Sequence, residues 1–240
     1  MNNHNIFILS PITDILKNAV TATVGIGSGI ETYPLCDYVL QSVFLKMTGF
    51  QEQKMKCICW ELATNDYEYR YERYTKKTLG ECSDYNEKNS IYQDLVKQIE
   101  KLIVDFDISN GINRTQILTS TTSEIKNIFL GTNLSIWTQK SFNEFDNIWN
   151  GVLNTHFAND KNSLFSATNL IQIYKNHLYK HRNRCAHNTQ SYQQNLPTLK
   201  TLASEDYKYE NYFVWFAVLV LIDKIFIELY AKYLNALKEN

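Results

Sequence analysis

The chain has 240 residues, and its 24 basic and 25 acidic side chains give a net charge of −1. Hydrophobic residues make up 44% of it, which excludes a largely disordered chain. Only 8 glycines and 3 prolines are present, so the turn residues that an all-β sandwich or barrel needs are scarce. The length supports one sizeable core but is short for two full-sized domains.

Apolar residues recur at helical spacing through the first third of the chain. Ser10 and the proline after it are typical of a helix start, and they predict a helix over residues 10–24. A cluster of three glycines then interrupts the pattern. Two further helices are expected over residues 31–47 and 51–74, with Gly49 between them.

The remainder of the chain continues this pattern, apart from a polar loop over residues 80–89. Helices are predicted over residues 90–105, 141–153, 163–179 and 207–237, while residues 110–138 hold only short periodic pieces. The last of these helices begins apolar nearly all round, so its first half should be the most buried element. The sequence therefore predicts an all-α protein.

The start of the chain is not typical of a secretory signal, because its first residues carry no Lys or Arg and the apolar stretch that follows is short. The longest uninterrupted apolar run, residues 213–222, ends at Asp223 and is well short of the ~20 residues that a membrane span needs. The 5 cysteines show no disulfide spacing and are expected to be reduced thiols. We therefore expect a cytoplasmic protein without a membrane segment.

The small net charge hides a segregation of charge along the chain. Residues 161–203 contain six basic side chains and no Asp or Glu, so this segment carries +6 and the rest of the chain carries −7. Such a segment creates a local positive field that suits a phosphate-bearing partner. An acid-free stretch can equally arise by chance in a chain rich in asparagine, and the charge alone favours neither explanation.

The strongest chemical signal is the run KHRNRCAHN over residues 180–188, in which His187 follows Arg182 by five positions. An imidazole with a reference pKa of ~6.5 can take the 2′-hydroxyl proton of RNA, or give one to the 5′-oxygen leaving group, near neutral pH. A guanidinium supplies fixed positive charge and forked donors for the phosphorane-like transition state. Together these groups suit the cleavage of RNA without a metal ion.

The spacing also restricts the geometry of this pair. In an ideal helix five residues rotate by about 500°, which leaves the two side chains roughly 140° apart. They can meet at one phosphate only if the helix is broken between them or if a second chain contributes. Because a polar, acid-free segment follows the preceding helix, we expect a helix junction at this position.

The pattern Arg182-Asn183-x-x-x-His187, between an amphipathic helix and a final long helix, resembles the signature of the HEPN superfamily (higher eukaryotes and prokaryotes nucleotide-binding domains). Many members are metal-independent endoribonucleases of toxin–antitoxin, abortive-infection and other antiviral systems. The resemblance implies a homodimer whose two motifs face one composite cleft, and products with a 2′,3′-cyclic phosphate and a 5′-hydroxyl. By analogy it also implies a cognate antitoxin or sensor protein.

The same resemblance implies a HEPN-like helical bundle with additional helices inserted. Residues 1–240 would form a single domain, whose core helices are expected over roughly 10–75 and 163–238. Residues 80–155 would then be an elaboration or insertion of that bundle.

On this resemblance, Arg182 is the phosphate-binding arginine, Asn183 the polar residue that usually follows it, and His187 the catalytic histidine. Lys180 and Arg184 on either side are expected to contact the RNA. Neither a metal nor another cofactor is expected for this chemistry.

Two further residues are candidates for a supporting role, Asn188 and Glu61. Glu61 lies in an apolar stretch of helix, where a carboxylate needs a partner. Arg182 would satisfy it, and a structural Lys or Arg elsewhere would do so equally well. Part of the superfamily carries a Tyr two residues after the histidine as a site of regulatory nucleotide transfer; Thr189 stands there instead, so that regulation is not inferred.

Other interpretations of these patterns stay open. Basic side chains at residues 180–182 would also complement the dipole of a helix C-terminus, and the same fold occurs as a non-catalytic RNA- or nucleotide-binding module or adaptor.

Tyrosines alternate with Arg and Lys over residues 67–77, which suits stacking on single-stranded RNA but is more often a solvated face or a dimer surface. His177 and His181 have the i, i+4 spacing of zinc ligands but lack the accompanying Glu.

Overall fold

The structure, a computed structural model, describes residues 2–27, 29–187 and 205–239. These residues are almost entirely helical, and the sheet found among them is one two-stranded antiparallel hairpin. The prediction of an all-α fold is confirmed.

The elements of the first half are α1 (Asn3–Leu9), α2 (Thr13–Thr23), a 3-10 turn (Ile30–Thr32), α3 (Tyr33–Asn65), α4 (Tyr67–Tyr71) with a π turn (Glu72–Lys76), α5 (Tyr85–Leu102), α6 (Ile108–Gly111) and α7 (Arg114–Phe129). The second half holds α8 (Asn133–Trp137), α9 (Gln139–Trp149), a 3-10 turn (Asn154–His156), the hairpin β1 (Phe157–Asp160) and β2 (Ser163–Phe165), α10 (Thr168–Gln172), a π segment (Ile173–Leu178), α11 (Tyr179–His187), a 3-10 turn (Glu205–Tyr209) and α12 (Tyr212–Glu239).

Helix α12 lies at the centre of the molecule. Every residue from 213 to 222 is at most 2% exposed, and α3, α5, α7 and α9 all pack against this helix. The fully buried first half of α12 is what its apolar run predicts. Because α5 and α7 contribute to the same hydrophobic cluster as α3 and α12, the middle of the chain shares one core with its ends. The assignment of residues 80–155 as an elaboration of a smaller bundle stays a prediction.

Helix α3 corrects the prediction of two helices separated by Gly49. It runs without a break over 33 residues from Tyr33 to Asn65, about 50 Å at 1.5 Å per residue. Its partners lie on several sides, since α1, α5, α11 and α12 all contact it. One glycine lowers helix stability by only about 1 kcal/mol relative to alanine. The free energy gained by packing α3 against these four helices is larger than that penalty.

The two predicted helix starts at residues 10 and 163 are also wrong. Ser10 ends α1, where its backbone N–H and its hydroxyl both donate to the carbonyl of Phe7, and α2 begins only at Thr13. The segment after residue 157 first forms the hairpin, so the helix expected over residues 163–179 begins at Thr168 and extends to His187.

A buried ion pair joins three elements of the core. Lys54 of α3 and Asp223 of α12 are 0% and 1% exposed at their side chains, and Lys54 Nζ lies 2.5 Å from Asp223 Oδ1. Lys54 also donates to the carbonyl of Ser10 at 2.7 Å, and the Ile12 N–H donates to the other oxygen of Asp223 at 2.9 Å. The pair therefore fixes the α1–α2 connection onto both long helices.

Within the ranges that the structure describes, no helix combines the length and apolar character that crossing a membrane requires.

Candidate functional site

The motif residues lie on the last stretch of helix before residue 188. α10, the π segment and α11 follow one another without interruption from Thr168 to His187, so the junction expected between Arg182 and His187 is wrong. Positions 182 and 187 of this unbroken helix are therefore about 140° apart around its axis. The side chain of His187, together with Asn188 and Thr189, lies outside the described residues.

Arg182 is held at the interface between α11 and α3. Its Nη2 donates to Glu52 Oε1 at 2.9 Å and its Nη1 donates to Asn183 Oδ1 at 3.0 Å. The side chains of Arg182 and Glu52 are 19% and 11% exposed. A guanidinium has five N–H donors, so three of them bond no acceptor within the described part of the chain. Among the described residues, the guanidinium is oriented by two hydrogen bonds and its other donors bond no acceptor.

A buried cation lies below this pair. Lys88 of α5 is 1% exposed, and its Nζ donates to the carbonyl of Cys82 at 2.7 Å. Burial lowers the pKa of Lys88 to about 8, while the nearby carboxylate of Glu52 acts in the opposite direction. Glu52 therefore lies between two cations, with Arg182 toward the surface and Lys88 toward the core.

Among the described residues Glu61 pairs neither with Arg182 nor with another Lys or Arg, so neither of the two partners considered for it is the one observed. Its carboxylate accepts from Asn2 Nδ2 at 3.0 and 3.1 Å and lies 2.8 Å from Nδ1 of His4. Glu52 and Glu61 are nine residues apart on one continuous helix, which places them about half a turn apart on opposite sides of α3. Only the side that carries Glu52 faces α11.

Sequence reasoning missed Glu52 because its neighbours gave no distinctive signal. It stands in the polar run Gln51-Glu52-Gln53-Lys54, which resembles an ordinary solvated stretch of helix. In the structure Glu52 is 8% exposed. Glu52 lies three residues, less than one helical turn, after Gly49. Its direction relative to the preceding residues is therefore fixed only if α3 continues through Gly49.

The two residues expected to contact RNA differ in their surroundings. Lys180 is exposed. The Arg184 side chain is 43% exposed, and its Nη2 lies 3.3 Å from Glu210 Oε2. The other Glu210 oxygen is 3.0 Å from Nδ1 of His177. Acidic residues from outside the acid-free segment, Glu52 and Glu210, therefore neutralise part of its positive charge.

His181, the first histidine of the run, is partly buried and packs between aromatic rings. Its ring packs against Phe44, Tyr212 and Trp215, with ring centroids 5.5, 5.4 and 4.6 Å away. Burial, followed by the positive charge of Arg184, lowers the pKa of His181 to about 4. A histidine that stays neutral and packed between aromatic rings is poorly placed for proton transfer to RNA.

The predicted alternative of a shared metal on His177 and His181 finds no support in the contacts of these rings. His177 pairs with Glu210, whereas Nε2 of His181 lies 3.0 Å from the hydroxyl of Tyr212 and 3.3 Å from Sγ of Cys185. Burial raises the pKa of the Cys185 thiol, which does not favour a thiolate ligand. Within the described residues, no group of three or more ligating side chains is arranged to hold a metal ion.

Comparisons with protein-family models, with curated proteins and with solved structures find no match to this chain.

Proposed function

We propose that this protein is a metal-independent endoribonuclease of the HEPN type, in which His187 acts as the general acid and base and Arg182 stabilises the charge on the transferring phosphate. Attack by the 2′-hydroxyl would leave a 2′,3′-cyclic phosphate and a 5′-hydroxyl. A toxin or antiviral effector of the cytoplasm, held in check by an antitoxin or sensor protein, is the context in which such an activity fits.

The observation that carries the proposal is the state of Arg182. Its guanidinium is oriented by Glu52 and Asn183 on a helix that also carries His187, and it keeps N–H donors that bond no acceptor in the described ranges. An arginine that is ordered before the substrate arrives loses little conformational freedom when it binds phosphate. Its remaining N–H donors can then stabilise the charge that develops on the phosphate oxygens. Asn183 is then a positioning residue for Arg182.

Two copies of the chain would complete the site. Positions 182 and 187 diverge by about 140° on one unbroken helix, so the backbone of a single chain does not direct both positions toward one point. A two-fold axis beside α11 would bring the arginine of one protomer to the histidine of its partner. The homodimer implied by the HEPN resemblance is therefore part of the proposal.

One observation favours a different class of function. The Arg182–Glu52 pair is largely buried, and a buried intrachain ion pair is also what a purely structural contact between α11 and α3 would show. The chain would then be a non-catalytic RNA-binding module or adaptor of the same fold. The two candidates differ in whether RNA is cut, and the same purified protein can test both.

The experiment compares RNA cleavage by the wild-type protein and by His187→Ala. We expect cleavage to fall by about 10²-fold or more, the usual contribution of a general acid or base, while circular dichroism and thermal unfolding stay as in the wild type. His4→Ala is the matched control, since it removes an exposed imidazole outside the motif and should keep full activity. Mass spectrometry of the products should show cyclic phosphate ends.

The same assay is repeated in excess EDTA, where activity should persist. Cleavage that disappears in chelator and returns with a divalent ion would replace this mechanism with metal-ion chemistry. RNA binding without cleavage by the wild-type dimer would establish the non-catalytic module.

A further inference from the structure

Trp60 of α3 and three tyrosines of the α4 segment are large rings that the structure leaves in solvent. Trp60 is 57% exposed, Tyr67 79%, and Tyr71 and Tyr74 49% each. Large apolar side chains that stay exposed together mark candidate interaction sites. None of these four stacks on another ring among the described residues, so each keeps a free face.

The helical register places two of the tyrosines, Tyr67 and Tyr71, on one side of α4, and Tyr74 follows in the π turn. Tyr69 is 7% exposed, and its hydroxyl and the guanidinium of Arg73 both donate to Asp94 of α5. At 100° per residue, Tyr67 and Tyr71 fall on the opposite side of α4 from this buried contact. Asp94 therefore holds the buried side of the α4 segment against α5. The rings of Tyr67 and Tyr71 lie on the opposite, exposed side.

Cations lie beside these rings. The π turn brings residues five apart together, which sets Lys76 Nζ 5.2 Å from the centroid of the Tyr71 ring. The same register pairs Lys77 with Glu72 at 3.0 Å, so this carboxylate is neutralised. Arg70 is exposed as well, and it is near enough to Tyr74 to act on its hydroxyl electrostatically. We call the set Trp60, Tyr67, Tyr71, Tyr74, Arg70 and Lys76 the aromatic face.

The aromatic face adjoins the candidate site along α3. Glu52, Lys56 and Trp60 are spaced by one helical turn each, so Trp60 lies about 12 Å along the axis from the residue that holds Arg182. Lys56 bonds the carboxylate of Glu81, in the loop before α5. Cys59, adjacent to Trp60, lies close enough to Tyr69 to affect the pKa of its hydroxyl, which places Trp60 at the edge of the α3–α4 contact.

We infer that the aromatic face is a binding subsite for single-stranded RNA, in which successive bases stack on the rings while Arg70 and Lys76 contact the phosphates. Rings one helical turn apart are separated by about 6 Å along α4, a spacing that suits unstacked bases of an extended strand. Stacking is tolerant of sequence because every base has a π face. The inference rests on the proposed function, since the subsite would hold the strand whose cleaved phosphate reaches Arg182.

The test measures binding separately from cleavage. The probe is a fluorescein-labelled single-stranded RNA of about twelve nucleotides with 2′-O-methyl riboses, which cannot undergo 2′-hydroxyl attack. Fluorescence anisotropy should show that Trp60→Ala and Tyr71→Ala each raise Kd by about 10-fold, the loss typical of one stacked base. Lys76→Gln should lower the slope of log Kd against log salt by about 0.7. Ile136→Ala, an exposed apolar residue of α8 (53% exposed), is the matched control and should bind as the wild type does.

Tryptophan fluorescence gives a second readout from the same complex. Trp149 and Trp215 are 2% exposed and Trp137 donates its indole N–H to Thr32, so RNA stacked on the aromatic face should quench Trp60 selectively. The quenching should vanish in Trp60→Phe and persist in Trp137→Phe.

The outcomes separate this inference from the proposed function. Unchanged affinity in the aromatic variants, with wild-type binding intact, overturns the subsite while cleavage in the His187 assay still supports the ribonuclease. Aromatic-dependent binding without any cleavage supports the subsite and ends the ribonuclease. Loss of the dimer in Trp60→Ala or Tyr71→Ala, seen by light scattering, would make the aromatic face an interface between copies and overturn the RNA subsite.

Discussion

Lys54, Lys88 and Asp223 are each at most 1% exposed, and residues of this kind decide which helices of the protein can pack together. An ion taken out of water is retained only when charge and hydrogen bonds replace the lost solvation. Lys54 and Asp223 satisfy each other and also bind backbone groups of the α1–α2 connection. Lys88 bonds a carbonyl and lies close to Glu52, so it supports the carboxylate that holds Arg182.

The buried pair predicts a large effect for a single substitution. Asp223→Ala removes one partner and leaves Lys54 charged in the core, so we expect the free energy of unfolding to fall by about 3–5 kcal/mol. Urea denaturation followed by circular dichroism measures this change. Asp146→Ala, which removes a partner of Lys126 at a pair whose side chains are 40% and 46% exposed, should lower it by less than about 1 kcal/mol. Equal effects of the two substitutions would contradict the role given to the buried pair.

At the scale of elements, the length of α3 determines the geometry of the candidate site. A helix that ended at Gly49 would leave Glu52 and Glu61 free to take unrelated directions. The continuous helix instead places them on opposite sides, and this selects Glu52 as the partner of Arg182. The π turns after α4 and α10 are further departures from regular helix, and the first of them sets Lys76 over Tyr71.

The continuity of α3 predicts that Gly49→Ala stabilises the protein. A Cβ atom at Gly49 would meet no atom within 4 Å, and alanine in a helix interior is favoured over glycine by about 0.5–1 kcal/mol. Thermal unfolding should therefore show a higher midpoint. Gly131→Ala is the matched control, because its surroundings are equally open but its φ of +74° disfavours a side chain, and its midpoint should fall. A lower midpoint for Gly49→Ala would mean that this position needs glycine for a close approach.

At the scale of the whole molecule, charge and symmetry determine how the motif can act. The acid-free segment around α11 contacts two carboxylates, that of Glu52 on α3 and that of Glu210 in the connection that leads into α12. Its field is thereby reduced within one chain. Positions 182 and 187 still face different directions, so the proposed activity depends on a second copy.

A mixture of inactive variants tests this dependence. Arg182→Ala and His187→Ala should each be inactive alone, whereas co-expressed chains form mixed dimers in which one composite site has both groups. Random pairing makes half of the dimers mixed, with one of their two sites intact, so activity should recover to about one quarter of the wild-type value. No recovery, in mixed dimers verified by mass spectrometry, would show that both groups act within one chain.

The sequence alone was sufficient for the fold class and for much of the helix order. Apolar spacing identifies α5, α9 and α12 to within a few residues, because an amphipathic or fully apolar period is a local property of the chain. The apolar run over residues 213–222 likewise predicts a buried helix, since no other environment accepts so many adjacent apolar side chains. Arg182, Asn183 and His187 were identified as candidates in the same way, from a local pattern, and their catalytic role stays a prediction.

The tertiary structure decided the features that depend on contacts between distant residues. Gly49 is a local signal for a helix end. The free energy gained when α3 packs against several partners nevertheless exceeds the small cost of one glycine in a helix. The choice of Glu52 over Glu61 depends on which side of α3 meets α11, and the exposure of the aromatic face depends on Asp94 holding the other side of α4. Packing energies arise from contacts between segments far apart in sequence, so no local pattern could have settled these three points.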